Sequence, residues 1–185
     1  MAVLASLPSL ALGLALLGAA PGSPEQSVEV GLNTVTYFSF AHASPMRLVL
    51  EAAYQRSLGA ADSPWLVRGG LRATRPDALA RFPLEAYAQL LVRARIGAWE
   101  PAAGPELGVS GLIGLYEAPW RPFDYTQVEQ RRVSPLYAAM SAAPLRFRVA
   151  CFTLSALELR VGATLAPPGT AVRLQLGLLQ VGGDL

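Results

Sequence analysis

The stretch RFPLEAYAQLLVRARIGAW, residues 81–99, sets arginines and a glutamate inside a run of Leu, Val and Ala, and the period of that mixture decides the fold. From Phe82 every second residue is apolar: Phe82, Leu84, Ala86, Ala88, Leu90, Val92, Ala94, Ile96 and Ala98. The other parity carries Arg81, Glu85, Tyr87, Gln89, Arg93 and Arg95. By composition the segment favours a helix, since Ala, Leu, Arg, Glu and Gln are good helix formers. At about 100° per residue, however, the apolar positions scatter round the whole cylinder and leave no stripe to bury. At about 180° they form one face. Period outweighs propensity, and the stretch reads as a strand.

The same alternation repeats along the chain. Val28, Val30, Leu32, Thr34, Thr36, Phe38 and Phe40 alternate with Glu29, Gly31, Asn33 and Tyr37, and Met46, Leu48, Leu50, Ala52 and Tyr54 with Arg47, Glu51 and Gln55. Further runs follow at Trp65 to Ala73, around Arg68 and Arg72, and at Leu107 to Leu115, around Glu106. Two more lie near the end, at Leu157 to Ala163, around Glu158 and Arg160, and at Val172 to Leu178, around Arg173. Turn formers separate them in AHASP, GAADSP, TRPDALA, EPAAGP and APPGT, and all four Asp residues, Asp62, Asp77, Asp124 and Asp184, fall outside the runs. Residues 136–152 read either as one strand bent at Pro144 or as two. Seven or eight antiparallel strands result, and eight is the expected number, because bacterial membrane barrels normally have an even count.

Composition supports a chain with little wetted surface. Of 185 residues 52% are hydrophobic and only 15% charged, below the quarter or so usual for a soluble domain. The net charge of +2 is too small to suggest nucleic acid, and every basic residue is Arg. The lone Cys151 excludes an internal disulfide and reads as a small apolar wall residue. Residues 1–20, MAVLASLPSLALGLALLGAA, read as a signal peptide ending in small residues before the polar PGSPEQ, which leaves residues 21–185 as a single domain.

Which parity faces water is the next question. Glycines crowd the charged parity (Gly31, Gly70, Gly97, Gly108, Gly114, Gly162, Gly177), where they make room for Arg and Glu inside a narrow tube and would only weaken a solvent-facing strand. Large aromatics gather near strand ends (Phe38, Phe40, Tyr54, Trp65, Phe82, Trp99, Tyr116), as in interfacial girdles. The expected fold is therefore all-β, an antiparallel up-and-down transmembrane β-barrel of eight strands, apolar outside and charged inside. Its lumen would hold Arg47, Arg68, Arg72, Arg93, Arg95, Arg146, Arg148, Arg160 and Arg173 against Glu29, Glu51, Glu85, Glu106 and Glu158. Nine positive against five negative leaves a surplus of four, to be met by carbonyls, Tyr, Gln, water or an anion.

This pattern resembles the small eight-stranded outer-membrane barrels of the OmpA and OmpX type, over residues 28–181 and in architecture rather than in a diagnostic motif. The resemblance implies an outer-membrane location, an N-terminus in the periplasm, short periplasmic turns and longer outer loops. AHASP, TRPDALA, residues 116–135 and APPGT would then lie outside, and GAADSP and GAWEPAAGP inside. Such barrels usually finish in an aromatic residue, whereas this chain ends QVGGDL.

Chemistry is sparse. The sole histidine, His42, lies two residues before Ser44 and a strand away from Glu51, the components of an acyl-transfer site. HAS is similar to the His-x-Ser element of outer-membrane deacylases, without matching flanks, and a polar turn entering Pro45 is the plainer reading. In the long loop Trp120, Arg121, Tyr125, Arg131 and Arg132 are candidates for contact with lipopolysaccharide phosphates or a partner. No cofactor motif and no metal constellation is present in the sequence. The primary reading is a monomeric barrel in a lipid bilayer, with a structural, adhesion or sensing role in its loops. Two others remain open: a lipid-modifying enzyme on His42 and Ser44, and a soluble periplasmic barrel holding an apolar ligand.

Overall fold

A computed structural model describes residues 24–39, 42–43, 46–75, 83–111, 134–165 and 171–185. The alternating runs become β1 (Gln26–Ser39), β3 (Arg47–Ser57), β4 (Trp65–Ala73), β5 (Leu84–Arg93), β6 (Ala102–Ser110), β7 (Leu136–Ala143), β8 (Leu145–Val149), β9 (Phe152–Thr164) and β10 (Val172–Asp184). A two-residue β2 (His42–Ala43) folds back on the end of β1. Neighbours pair antiparallel in chain order, and β10 pairs with both β9 and β1, which closes the sheet.

The question at Pro144 resolves by register. Strand β7 pairs β9 from Tyr137↔Thr164 to Ala142↔Leu159, and β8 continues the same register from Leu145↔Ala156 to Val149↔Phe152. Residues 136–149 therefore form one strand interrupted at Pro144, and the barrel wall has eight strands. The start of β1, the end of β10 and the turns at residues 58–64, 94–101 and 150–151 lie at one mouth. The strand ends at Ser39, Arg47, Ala73, Leu84, Ser110, Leu136, Thr164 and Val172 lie at the other; TRPDALA and the long loop fall largely outside the described residues.

Burial follows the parity. Strand β5 alternates without exception, with Glu85, Tyr87, Gln89, Leu91 and Arg93 inward and Leu84, Ala86, Ala88, Leu90 and Val92 outward. The alternation slips once along a transverse line. On β7 and β8 the inward residues pass from odd (Ala143) to even (Arg146), on β9 from Ser155 to Glu158, and on β10 from Gly177 to Gln180. The registers place Pro144 opposite Leu157, and Leu157 opposite Leu178, so the slip crosses three strands in line. Leu157 takes a left-handed backbone, φ 59°, and β1 absorbs the extra residue as a register shift after Leu32. This is how a β-bulge re-aims side chains without breaking the ladder.

Three expectations need correction. GAWEPAAGP is not all turn: β6 begins at Ala102, with Pro105 inside the strand and facing outward. Pro105 has no N–H to give to β5, so the ladder skips from Gln89↔Glu106 to Val92↔Ala103. Gly104 tolerates the resulting approach because a Cβ there would lie 2.0 Å from the Leu90 carbonyl oxygen. Cys151 is no wall residue; it is exposed in the turn between β8 and β9, whose first residue, Ala150, has φ 53°. Asp184, expected outside the strands, is the last residue of β10.

The barrel interior

Inside the wall, two small apolar clusters bracket a charged centre. Val35, Tyr37, Val49 and Ala171 pack together near the loop mouth, and Leu66, Leu91 and Ala102 near the terminal mouth. The second escapes the alternation because Leu66 and Leu91 each stand beside an outward apolar residue, Val67 and Leu90, and each pair reads as one uniform run.

Between the clusters, arginines and glutamates from opposite walls meet. Arg160 forks onto Glu51, Nη1 to Oε2 at 2.7 Å and Nη2 to Oε1 at 3.0 Å, while its Nε donates to Glu158 at 2.7 Å. Arg72 donates from Nε to Glu51 at 2.9 Å, grips Glu106 from Nη1 and Nη2 at 2.8 and 2.9 Å, and also pairs with Glu85. Arg68 reaches Glu51 at 2.7 Å, Glu29 at 3.1 Å and Glu158 at 3.2 Å. Arg173 reaches Glu85 at 2.6 Å and, more distantly, Glu106. Glu51 is the hub: three arginines, the Asn33 amide at 2.9 Å and the Tyr87 hydroxyl all donate to its carboxylate. Such forked pairs are geometrically specific because guanidinium and carboxylate are both planar.

Two of the inward glycines serve a purpose other than the one expected, while Gly177 does give room to a glutamate, an added Cβ there lying 2.9 Å from the Glu158 Cβ. Gly70 lies opposite Tyr87 and Gly108 opposite Tyr137; the two rings lie over these glycines, where an added Cβ would come within 2.6 Å of the Tyr87 hydroxyl and 2.4 Å of the Tyr137 hydroxyl. The rings then stack against cations, Arg72 at 3.5 Å from the Tyr87 centroid and Arg173 at 4.1 Å from that of Tyr137. The space taken from Gly70 and Gly108 goes to tyrosine, and the arginines rest on the tyrosines. Tyr137 is further held by its hydroxyl, 2.7 Å from Glu106 and 3.0 Å from Arg72 Nη1. Gly108→Ala is therefore expected to destabilise the barrel by about 1–3 kcal/mol, the usual cost of overpacking, read as a lower urea midpoint.

Charge balance is closer than the sequence suggested. At the terminal mouth Glu25, ahead of β1, pairs with Arg93 and Arg95 at 2.9 Å and with Arg148, while Glu100, from the β5–β6 turn, accepts from Arg93 at 2.9 Å and from Arg95 Nε at 3.0 Å. Asp184 pairs with Arg148 at 2.5 Å. Glu25, Glu100 and Asp184 raise five carboxylates to eight against the same nine arginines, and the surplus falls from four to one. Arg95 lies beyond β5, its side chain 41% exposed, so it belongs to the mouth and not to the lumen centre. Arg47, on β3 at the loop end, is buried.

Glu51 is thus committed to ion pairs. The backbone of His42 lies in β2, while Ser44 and the loop candidates Trp120, Arg121, Tyr125, Arg131 and Arg132 lie outside the described residues.

The outer face is the inverse of the lumen. Val30, Leu50, Leu71, Leu107, Met140, Leu159 and Val181 are among many large apolar side chains left exposed round the wall, which leaves no apolar interior for the ligand of a soluble carrier among the described residues.

The fold is similar to that of Ail of Yersinia pestis. Two solved structures of this attachment invasion locus protein, one in complex with the heparin analogue sucrose octasulfate, align over 88% of this chain and 99% of theirs, at 13% identity and TM-scores of 0.45 and 0.43. No protein-family model and no curated protein matches the sequence.

Proposed function

We propose that the chain is a bacterial outer-membrane β-barrel protein, exported by the leader at residues 1–20, in which a monomeric barrel is the anchor and the loops opposite the termini carry a structural, adhesion or sensing role. One observation carries this reading: the wall is closed, with its arginines and glutamates inside and its Leu, Val and Met side chains outside. In water that belt would be an apolar surface far beyond the few hundred Å² that soluble monomers tolerate. In a bilayer it is what the solvent selects, because hydrocarbon accepts only spanning structures whose backbone groups are paired internally. Strands of 9 to 11 residues such as β3, β4, β5 and β6 match the length needed to cross at a tilt. The packed lumen fits an anchor better than a pore, as expected of a barrel of about eight strands. In the long loop, Trp120, Arg121, Tyr125, Arg131 and Arg132 are suited to phosphorylated glycolipid, lipopolysaccharide included. The acyl-transfer reading is not favoured, because its carboxylate, Glu51, has no free oxygen to orient a histidine.

The test is an electrophoretic comparison of boiled and unboiled detergent-folded protein beside fractionation of the host. Faster migration of the unboiled form together with enrichment in the outer membrane is the expected result. A soluble protein with no heat-dependent shift would overturn the reading.

A further inference from the structure

Among the described strand residues only one charged side chain points outward from the wall: Arg56, near the terminal end of β3. Its surroundings are ordered. Gln26 of β1 stands directly opposite it and Val67 of β4 on the other side. Tyr54, two residues along the same face, donates its hydroxyl to Gln26 Oε1 at 2.8 Å, which fixes the amide with its NH₂ group turned to other acceptors. Toward the mouth, Leu58 and Trp65 follow on the same face. Arg56 is thus bracketed by Tyr54 and Trp65, aromatics of the kind that sit at the level of lipid headgroups. Among the described residues Arg56 forms no ion pair; of the carboxylates of that mouth, Glu25, Glu100 and Asp184 are occupied by Arg93, Arg95 and Arg148, and Asp62, exposed in the turn at residues 58–64, interacts electrostatically with Arg93.

We infer that Arg56, with the Gln26 amide and the Tyr54 and Trp65 rings, binds the phosphate of an anionic glycerophospholipid in the leaflet on the side of the termini. This rests on the membrane reading above. Guanidinium forks onto phosphate oxygens in charge-assisted pairs, and an uncompensated cation in the low-dielectric interface gains from a lipid of net negative charge. A zwitterionic lipid brings its own ammonium to compete for the same phosphate. The aromatics supply the apolar sides against which the glycerol and upper acyl chains lie.

The test is native mass spectrometry of the folded protein released from micelles doped with phosphatidylglycerol or phosphatidylcholine. One phosphatidylglycerol should be retained in preference to phosphatidylcholine, and Arg56→Gln should lower that retention about tenfold, the worth of a charge-assisted hydrogen bond. Arg95→Gln, at the same mouth but engaged with Glu25 and Glu100, should retain lipid as wild type does. Equal retention by Arg56→Gln and wild type would overturn the proposal, as would displacement of the lipid by inorganic phosphate at equal concentration. Flotation with liposomes separates the two readings. Wild-type protein that floats while Arg56→Gln keeps its lipid removes only the site, whereas wild-type protein that does not float removes the membrane reading and the site together.

Discussion

Glu51→Ala is expected to cost the folded barrel about 3–5 kcal/mol, the range found when one partner of a buried ion pair is removed. The carboxylate is 4% exposed as a residue and receives hydrogen bonds from Arg68, Arg72 and Arg160. Deleting it leaves three guanidinium groups facing one another across a narrow lumen. Arg72 retains Glu85 and Glu106, and Arg68 retains Glu29 and Glu158, but Arg160 keeps Glu158 at 2.7 Å and only a 3.5 Å approach to Glu106. Arg160 is therefore the residue whose desolvation is least offset in the variant. The measurement is the urea midpoint of refolding in lipid vesicles, read from folded and unfolded bands. Arg95→Ala, which removes a half-exposed partner at the mouth, should shift the midpoint by no more than about 1 kcal/mol. Equal effects of the two substitutions would mean that water reaches Glu51 and that the centre is not dry.

The difference between these two arginine contacts was only half legible in the sequence. Parity alone put Arg68, Arg72, Arg93, Arg160 and Arg173 on one face with Glu51, Glu85, Glu106 and Glu158, and in the structure those residues do face inward together. What parity cannot give is the depth of each position along the barrel axis or the shape of residues outside the strands. Arg95 continues the alternation by two residues, yet the ladder leaves β5 at Arg93 and turns at Gly97, whose φ is 61°. Glu25 and Glu100 lie before β1 and in a turn, where no period marks them, and only the closing of the barrel brings them to Arg93. Pro105 has the residue type of a turn former, although a strand accepts proline where the lost N–H costs a single rung. The slip through Pro144, Leu157 and Leu178 is invisible for a further reason. At Leu178 and Leu179 two apolar residues in sequence both face outward, and nothing in their chemistry separates this from one inward and one outward.

Met140→Arg should destabilise the barrel by about 2–4 kcal/mol, the depth-dependent cost of arginine on the lipid face near the midplane, whereas Val149→Arg at the strand end should cost about 0–1 kcal/mol. Met140 faces outward on β7, 59% exposed, beside Pro105 of β6 and Val161 of β9. Val149 is just as apolar and 66% exposed, but it adjoins the turn at residues 150–151. The two sites thus share chemistry and exposure and differ in depth. In water they would respond alike, since a surface substitution away from any special contact usually stays within about 0.5 kcal/mol, and a charge on an apolar belt would if anything raise solubility. In a bilayer the guanidinium at position 140 must either leave water or drag water and headgroups toward it, while at position 149 it reaches the interface along its own alkyl chain. Refolding midpoints in vesicles give the two costs directly. A steep difference between them locates the wall in hydrocarbon with its terminal mouth at the surface, and matching costs would turn the apolar belt toward a protein partner instead.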